Sequence, residues 1–283
     1  MNNVIGHIKQ KELFSKMILN KKIPHAFLFE GEDMIGKKTF ALAFAKLVLG
    51  ENSPDLYLAE DNLEISKIRE IKNFLSYKSY HNTKKIVIID NAHLMRKDAQ
   101  NSLLKILEEP SKDSVLILIT SFKDLILKTL LSRVQEINFY KAEKQALEDY
   151  LIKRNLNKEE IEEILFLSSL KQGKAIELVE NSLKKEFYLK TIRYLEKIKE
   201  KDLEKRFDYI KEIYEDKEIV LESLNLFERF FRREMFLILY HKSKKYSLIE
   251  VKNIIEKIQE TKYYFNNTNT NKKLLLENLM INI

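Results

Sequence analysis

The feature that most constrains the fold is an unbroken apolar run, Ile86 to Ile89, which ends in Asp90. Such a run is typical of a central parallel strand that is covered on both faces, since a half-exposed strand would alternate apolar and polar residues. An acidic residue directly after such a strand is where nucleotide-binding folds place a group that faces Mg²⁺. The run therefore predicts a buried parallel sheet with Asp90 at its carboxyl edge.

Helical and apolar segments alternate around this strand. The further strands are expected at residues 25–29, 55–59, 115–119 and 135–139, and the helices at 7–20, 40–49, 65–77, 97–108 and 124–131. Strands separated by helices of about 10 to 15 residues predict a doubly wound α/β layer. After residue 142 the pattern is helical throughout. We expect an α/β domain over 1–142, a small helical domain over 143–190 and a helical bundle over 191–283.

A glycine-containing loop separates the first predicted strand from its helix. Gly31, Gly36 and Lys37 have the spacing of a phosphate-binding loop, in which backbone N–H groups surround a phosphate and the lysine reaches the terminal phosphates. The next residue should carry a hydroxyl for Mg²⁺, but Lys38 stands there. Thr39 comes one residue late, roughly 100° further round the helix. The loop is either a nucleotide site or a retained scaffold turn, and the second interpretation is favoured. The candidate nucleotide-binding residues are Gly31, Gly36, Lys37, Thr39 and Asp90.

The residue after Asp90 bears on catalysis. An ATPase of this shape is expected to carry a second acid there, which orients the attacking water, but this chain has Asn91. An amide can hydrogen-bond a water and cannot act as a base at neutral pH. With the Mg²⁺ hydroxyl and the second acid both absent from their positions, we expect no intrinsic ATPase activity.

Composition excludes several classes of site. The 283 residues include no cysteine, which excludes disulfides, thiol nucleophiles and thiolate metal sites. The net charge of +7 arises from 50 basic and 43 acidic residues, a near balance that lacks the basic tract of a dedicated DNA binder. The start of the sequence does not read as a signal peptide, and no apolar run approaches ~20 residues, so we expect a cytoplasmic protein without a membrane span.

Two arginine-bearing segments are candidates for a functional role. Ser132 and Arg133 follow a short helix and precede the last strand, where an exposed arginine can reach a nucleotide on a neighbouring subunit; a surface salt bridge is the plainer interpretation. The segment 227–236 mixes arginines with phenylalanines at helical spacing. We interpret it as a bundle helix with an apolar face and a basic outer face, rather than as a nucleic-acid contact.

Taken together, these residues resemble the AAA+ subunits of DNA clamp loaders and, within that family, the delta-prime subunits of bacterial DNA polymerase III. The most specific block is Asn101 to Pro110, which reads NSLLKILEEP. The other matching blocks are Ile5–His7, His25–Phe29, Gly31 to Lys37, Ile86 to Ala92, Leu116 to Thr120, Ser132–Arg133 and Asn269 to Leu279.

The resemblance implies a P-loop NTPase-like AAA+ domain, a helical lid and a helical collar that joins subunits into a ring. It implies that Arg133, with Ser132, is an arginine finger that completes the ATP site of an adjacent motor subunit. The implied partners are the gamma/tau motor subunits and the delta subunit and, through the complex, the sliding clamp and primed DNA. The implied task is to help to load that clamp, with no cofactor required by this subunit itself.

Departures from the family pattern refine these expectations. Many members carry a four-cysteine zinc module soon after the helix that follows the phosphate loop. This chain has residues 50–54 there, without cysteine, so no zinc is expected. No arginine near Gly173 and Lys174 can serve as a nucleotide sensor of the lid. Lys38 and Asn91 fit the delta-prime pattern. Two alternatives stay open: an active DNA-stimulated ATPase of the gamma/tau type that uses Thr39 for Mg²⁺, and an independent nucleic-acid binder.

Overall fold

A computed structural model describes residues 4–60, 63–80, 84–111, 113–268 and 270–283. Asn269, the first residue of the last matching block, lies outside the described residues. The chain divides into two compact units, Met1–Glu177 and Leu178–Ile283. The finer division expected at residues 142 and 190 remains a prediction. Within the described ranges, no helix combines the length and the apolar character that crossing a membrane requires.

The first unit is built on one parallel sheet. Its strands are β1 (Ala26–Glu30), β2 (Leu56–Ala59), β3 (Lys85–Ile89), β4 (Ser114–Thr120) and β5 (Gln135–Asn138). Their order across the sheet is β2-β3-β4-β1-β5, and every neighbouring pair is parallel. All residues of β3 and β4 are buried, as their apolar sequences predict. The predicted parallel α/β sheet is therefore confirmed, and its strands lie within about a residue of their predicted bounds.

Helices cover both faces of this sheet. They are α1 (Ile8–Leu19), α2 (Lys37–Leu49), α3 (Ile65–Ser76), α4 (Lys97–Glu108) and α5 (Lys128–Leu131). Three further helices follow β5 in the chain: α6 (Lys144–Lys153), α7 (Lys158–Ser168) and α8 (Gln172–Glu180). Because successive residues of a strand point to opposite faces, Phe27 and Phe29 pack with Phe14 of α1, while Leu28 lies in a second core with Leu103 of α4. The two cores fix the sheet between its helical layers.

The second unit is helical: from residue 178 onward, none of the described residues belongs to a strand. Its helices after α8 are α9 (Ser182–Glu196), α10 (Leu203–Ile213), α11 (Lys217–Leu239), α12 (Leu248–Asn267) and α13 (Lys272–Asn282). The long helix α11 packs against α9 and α12, and α13 packs against α10 and α12. Phe227, Phe230 and Phe231 are buried along α11, as predicted, but Phe236 is 55% exposed because it lies near the exposed end of that helix.

Candidate functional site

The carboxyl ends of the parallel strands bring the predicted nucleotide-site residues to one edge of the sheet. The loop that begins with Gly31 follows β1, Asp90 follows β3, and Ser121 comes directly after β4. Helix α2 begins at Lys37, three residues earlier than its apolar spacing predicted, because Gly36 turns the chain into the helix with a φ of 87°. The structure therefore gathers the loop, its lysine and Asp90, as parallel strands require.

Lys37 is turned back onto its own loop. Its Nζ donates to the carbonyl oxygens of Gly31 at 2.7 Å and Glu32 at 2.6 Å, and it lies 3.1 Å from the Ser121 hydroxyl. Those three acceptors match the three N–H bonds of an ammonium group. Burial lowers the pKa of Lys37, while the charges of Asp33 and Asp90 oppose that effect. Lys37 would have to leave these partners to reach a phosphate.

Lys38 occupies the place where the phosphate-loop pattern has a metal-binding hydroxyl. Its Nζ forms an ion pair with Glu60 and lies 3.7 Å from Asp90 Oδ2. Burial lowers the pKa of Lys38, but its hydrogen bond and Coulomb attraction to Glu60, together with the charge of Asp90, raise it above its ordinary value. The group facing Asp90 is therefore a charged ammonium. Thr39 is exposed in the first turn of α2.

Asn91 shapes the turn after Asp90. It has a left-handed backbone with a φ of 50°, a conformation that asparagine tolerates better than most residues. Its N–H donates to Asp90 Oδ1 at 2.9 Å, so that carboxylate oxygen is engaged within the turn. Asp90 presents its other oxygen to Lys38. Both carboxylate oxygens thus have partners inside the chain.

The start of α8 lies against the phosphate loop, within the first unit. The N–H of Gly173 donates to the carbonyl oxygen of Met34 at 2.7 Å. Glu32 pairs with Lys171 at 2.9 Å and with Lys141 at 3.2 Å. Burial raises the pKa of Glu32, but the hydrogen bonds and charges of the two lysines outweigh it and lower that pKa. The loop is thus fastened by residues of this unit at several points.

Arg133 lies in the turn between α5 and β5, and its guanidinium has three partners. Its Nη1 donates to the Thr129 carbonyl at 2.9 Å and to the Ser132 hydroxyl at 3.2 Å, and its Nη2 lies 3.0 Å from Glu108 Oε1. The Arg133 side chain is 37% exposed and that of Glu108 is 50% exposed. Ser132 in turn donates its hydroxyl to the Thr129 carbonyl. These contacts hold the guanidinium in place while leaving it accessible to solvent.

Arg133 and the phosphate loop lie at opposite ends of the parallel strands: the loop lies at their carboxyl ends and Arg133 at their amino ends. In the parallel pair β1 and β5, Phe27 lies beside Gln135 and Glu30 beside Asn138. Gly31 follows the carboxyl end of β1, whereas Arg133 precedes the amino end of β5. At about 3.3 Å per residue this separation is roughly 15 to 20 Å along the strand direction. The structure does not bring Arg133 to the chain's own nucleotide site.

Two acidic residues of these sites escaped the sequence analysis. Glu60 follows β2, and an acid directly after a parallel strand is a signal that could have placed it at the ligand edge. Glu108 lies at the end of α4, and no local signal pairs it with Arg133, which is 25 residues away. Its pairing depends on how α4 and α5 pack.

Comparisons with known proteins agree with this arrangement. A family described as "DNA polymerase III, delta subunit" matches residues 6–58 and 50–143. The DNA polymerase III subunit delta' of Bacillus subtilis is 34% identical over 168 residues, which are 52% of this chain and 51% of that protein. The DNA polymerase III subunit tau of the same organism is 30% identical over 168 residues, 51% of this chain and 30% of that protein. The chain thus spans about half the length of the first relative and less of the second.

Among solved structures, a DNA polymerase III gamma subunit-related protein from Thermotoga maritima superimposes with a TM-score of 0.61. The two are 23% identical, and the match covers 96% of this chain and 97% of that one, so it supports the fold of the whole chain. The resemblance inferred from the sequence blocks is confirmed by the family match and by the delta' relative. The sheet order and the phosphate loop agree with these matches, and residues 6–143 of the chain belong to the family described as "DNA polymerase III, delta subunit".

Proposed function

We propose that this chain is a non-hydrolysing, delta-prime-type subunit of the DNA polymerase III clamp loader, which places Arg133 at the ATP site of an adjacent motor subunit. In this proposal it assembles in the cytoplasm with gamma/tau motor subunits and a delta subunit, in a ring that loads the sliding clamp on primed DNA. The similarity to delta' supports the assignment of the subunit type. The predicted lid over 143–190 and collar over 191–283 belong to the same proposal.

The observation that carries the proposal is the position of Arg133. It is accessible, and it lies at the edge of the sheet opposite its own phosphate loop. A guanidinium that far from its own loop can act on a γ-phosphate only when that phosphate is bound by another subunit. There its planar set of donors stabilises the charge that develops during phosphoryl transfer.

The contacts of Arg133 are compatible with this role. Glu108 and Arg133 form a half-exposed ion pair, and such pairs are worth about 0 to 1 kcal/mol. The pair therefore restrains the side chain at little cost when a phosphate replaces the carboxylate. Thr129 and Ser132 hold Nη1 at the same time, which limits the conformations that Arg133 must lose on binding.

The chain's own loop supports the non-hydrolysing part of the proposal. Lys38 stands in front of Asp90, where a metal ion would be needed, and Asn91 supplies no carboxylate for the attacking water. The chain's chemical contribution is a single positive group that it presents to a neighbour.

The similarity to tau supports a second candidate, an active DNA-stimulated ATPase of the gamma/tau type. Such an enzyme would need a ligand for Mg²⁺ and a residue that orients water, and Thr39 is exposed one position away from the expected hydroxyl. Incubation of the purified chain with ATP, Mg²⁺ and primed DNA separates the two candidates. No turnover is expected, and turnover by the chain alone would overturn the non-hydrolysing assignment.

The finger role is tested by Arg133→Ala in a reconstituted complex. The other motor subunits carry inactivating substitutions, so that turnover reports only the site next to this chain. We expect a rate lower by on the order of 10³-fold at that site, with ring assembly unchanged by size-exclusion chromatography. Arg69→Ala, at an exposed arginine of α3, is the matched control and should retain the wild-type rate. A full rate with Arg133→Ala would refute the role in trans.

A further inference from the structure

Two acidic residues at the carboxyl edge of the sheet share one lysine. Asp90 follows β3 and Glu60 follows β2, and both form ion pairs with Lys38 of α2. The Asp90 side chain is only 16% exposed, whereas those of Lys38 and Glu60 are 39% and 40% exposed. A carboxylate buried to that extent needs a counter-charge, because its hydration is incomplete. Lys38 supplies that charge from within the chain.

The residues around Asp90 do not fit a magnesium ion. Mg²⁺ requires oxygen ligands at about 2.0 to 2.1 Å in an octahedral arrangement, and an ammonium group has only N–H donors to offer. Lys38 Nζ approaches the same Asp90 oxygen that is free of the turn hydrogen bond with Asn91. A divalent cation placed against that oxygen would meet the positive charge of Lys38 at short range.

We propose that the Lys38 ammonium is a built-in counter-ion that takes the place of the divalent cation, so that this phosphate loop does not accept a metal-bound nucleotide. The inference concerns the chain's own loop and goes beyond the proposed role of Arg133 in trans. It explains how the edge retains Asp90 and Lys37 of the nucleotide-binding pattern without metal chemistry.

The structure also indicates what removal of that charge would do. In Lys38→Thr, Asp90 and Glu60 lose their shared cation, and a hydroxyl stands at the position that phosphate loops use for Mg²⁺. The uncompensated carboxylates then attract a divalent ion. Lys38→Arg keeps the positive charge and offers no oxygen, which makes it the matched control. The proposal requires that the threonine variant gains a response to metal that the arginine variant and the wild type lack.

The test is a titration of the full-length chain with a fluorescent ATP analogue, in excess Mg²⁺ and in excess EDTA. For the wild type we expect no gain in affinity with Mg²⁺, and for Lys38→Thr a gain of at least about tenfold. Electron paramagnetic resonance of Mn²⁺ with ATP gives a direct readout, with bound metal expected only for Lys38→Thr. Circular dichroism verifies that each variant is folded.

Two results would overturn the proposal. One is a comparable Mg²⁺-dependent gain by the wild type, which would mean that Lys38 does not exclude the metal. The other is the absence of any gain in folded Lys38→Thr, which would make the Lys38 contacts a structural ion pair and nothing more. Because the titration uses the chain without partner subunits, its outcome is independent of the ATPase assay on Arg133.

Discussion

Substitution of Gly31 by alanine tests whether the phosphate loop serves as a structural turn in the absence of nucleotide. Its φ is 151°, and a Cβ added there would lie 2.5 Å from the Phe139 carbonyl oxygen and 2.8 Å from Ile35 Cδ1. Gly50, at the end of α2, provides a matched control, since its φ is 88° and a Cβ there would meet nothing within 4 Å. Alanine at Gly50 therefore introduces backbone strain alone, while alanine at Gly31 adds a clash with backbone.

The expected losses in the free energy of unfolding follow from the backbone strain and the clash. A left-handed backbone costs a residue with a Cβ about 1 to 2 kcal/mol, so Gly50→Ala should destabilise the fold by about that amount. Overpacking a filled site adds about 1 to 3 kcal/mol, and the Phe139 carbonyl cannot move away freely because Phe139 N–H donates to Glu30 of β1. We expect Gly31→Ala to cost about 2 to 5 kcal/mol in total.

Thermal unfolding followed by circular dichroism measures the difference, with no nucleotide present. At about 2 to 4 °C per kcal/mol, the melting temperature should fall by roughly 2 to 8 °C for Gly50→Ala, and the additional clash should place Gly31→Ala roughly 2 to 12 °C below that variant. The reasoning fails if the two variants melt together. That result would mean that the loop relaxes around a Cβ and that Gly31 is dispensable as a structural turn.

Two further predictions concern Glu108 and His7. Glu108→Gln should change the ATPase rate at the neighbouring site by less than about fivefold in either direction, because its half-exposed ion pair with Arg133 is worth at most about 1 kcal/mol, and Glu109→Gln is the adjacent control. Burial lowers the pKa of His7 below its ordinary value of 6.5, so the fold keeps its full stability above pH 6.5 and loses stability as the pH falls from there through the lowered pKa of His7. His7→Asn should therefore reduce the drop in melting temperature on acidification, leaving a residual drop from His93, whose pKa burial also lowers; an unchanged drop would contradict this.

Local patterns in the sequence were sufficient for the sheet and for the position of the loop. The apolar run of β3 predicted burial on both faces because a strand's side chains alternate between faces, and all five residues of β3 are buried. The same logic placed Asp90 and the Gly31 loop at one edge, since parallel strands end together. Helix α2 begins before its apolar spacing resumes at Phe40 because the turn at Gly36, rather than burial, starts the helix.

Aromatic residues near helix ends show where such patterns fail. Tyr263, Tyr264 and Phe265 follow one another in α12, and periodicity alone marks them as packing residues. Phe265 is buried, but Tyr263 is 63% exposed and Tyr264 is 39% exposed. Three consecutive residues of a helix span roughly 200° of its circumference, so they cannot all face one core. Which of them does is decided by the position of the neighbouring helices.

The sequence by itself determined the fold class, the family resemblance and the residues of two candidate sites, because each depends on neighbours along the chain. Only the tertiary structure decided what those residues face. The register of β1 and β5 places Arg133 at the edge opposite its own loop, and the packing of α2 against the sheet turns Lys38 toward Asp90 and Glu60. Such partners lie far apart in sequence, and their proximity depends on strand register and helix packing, which no local pattern encodes.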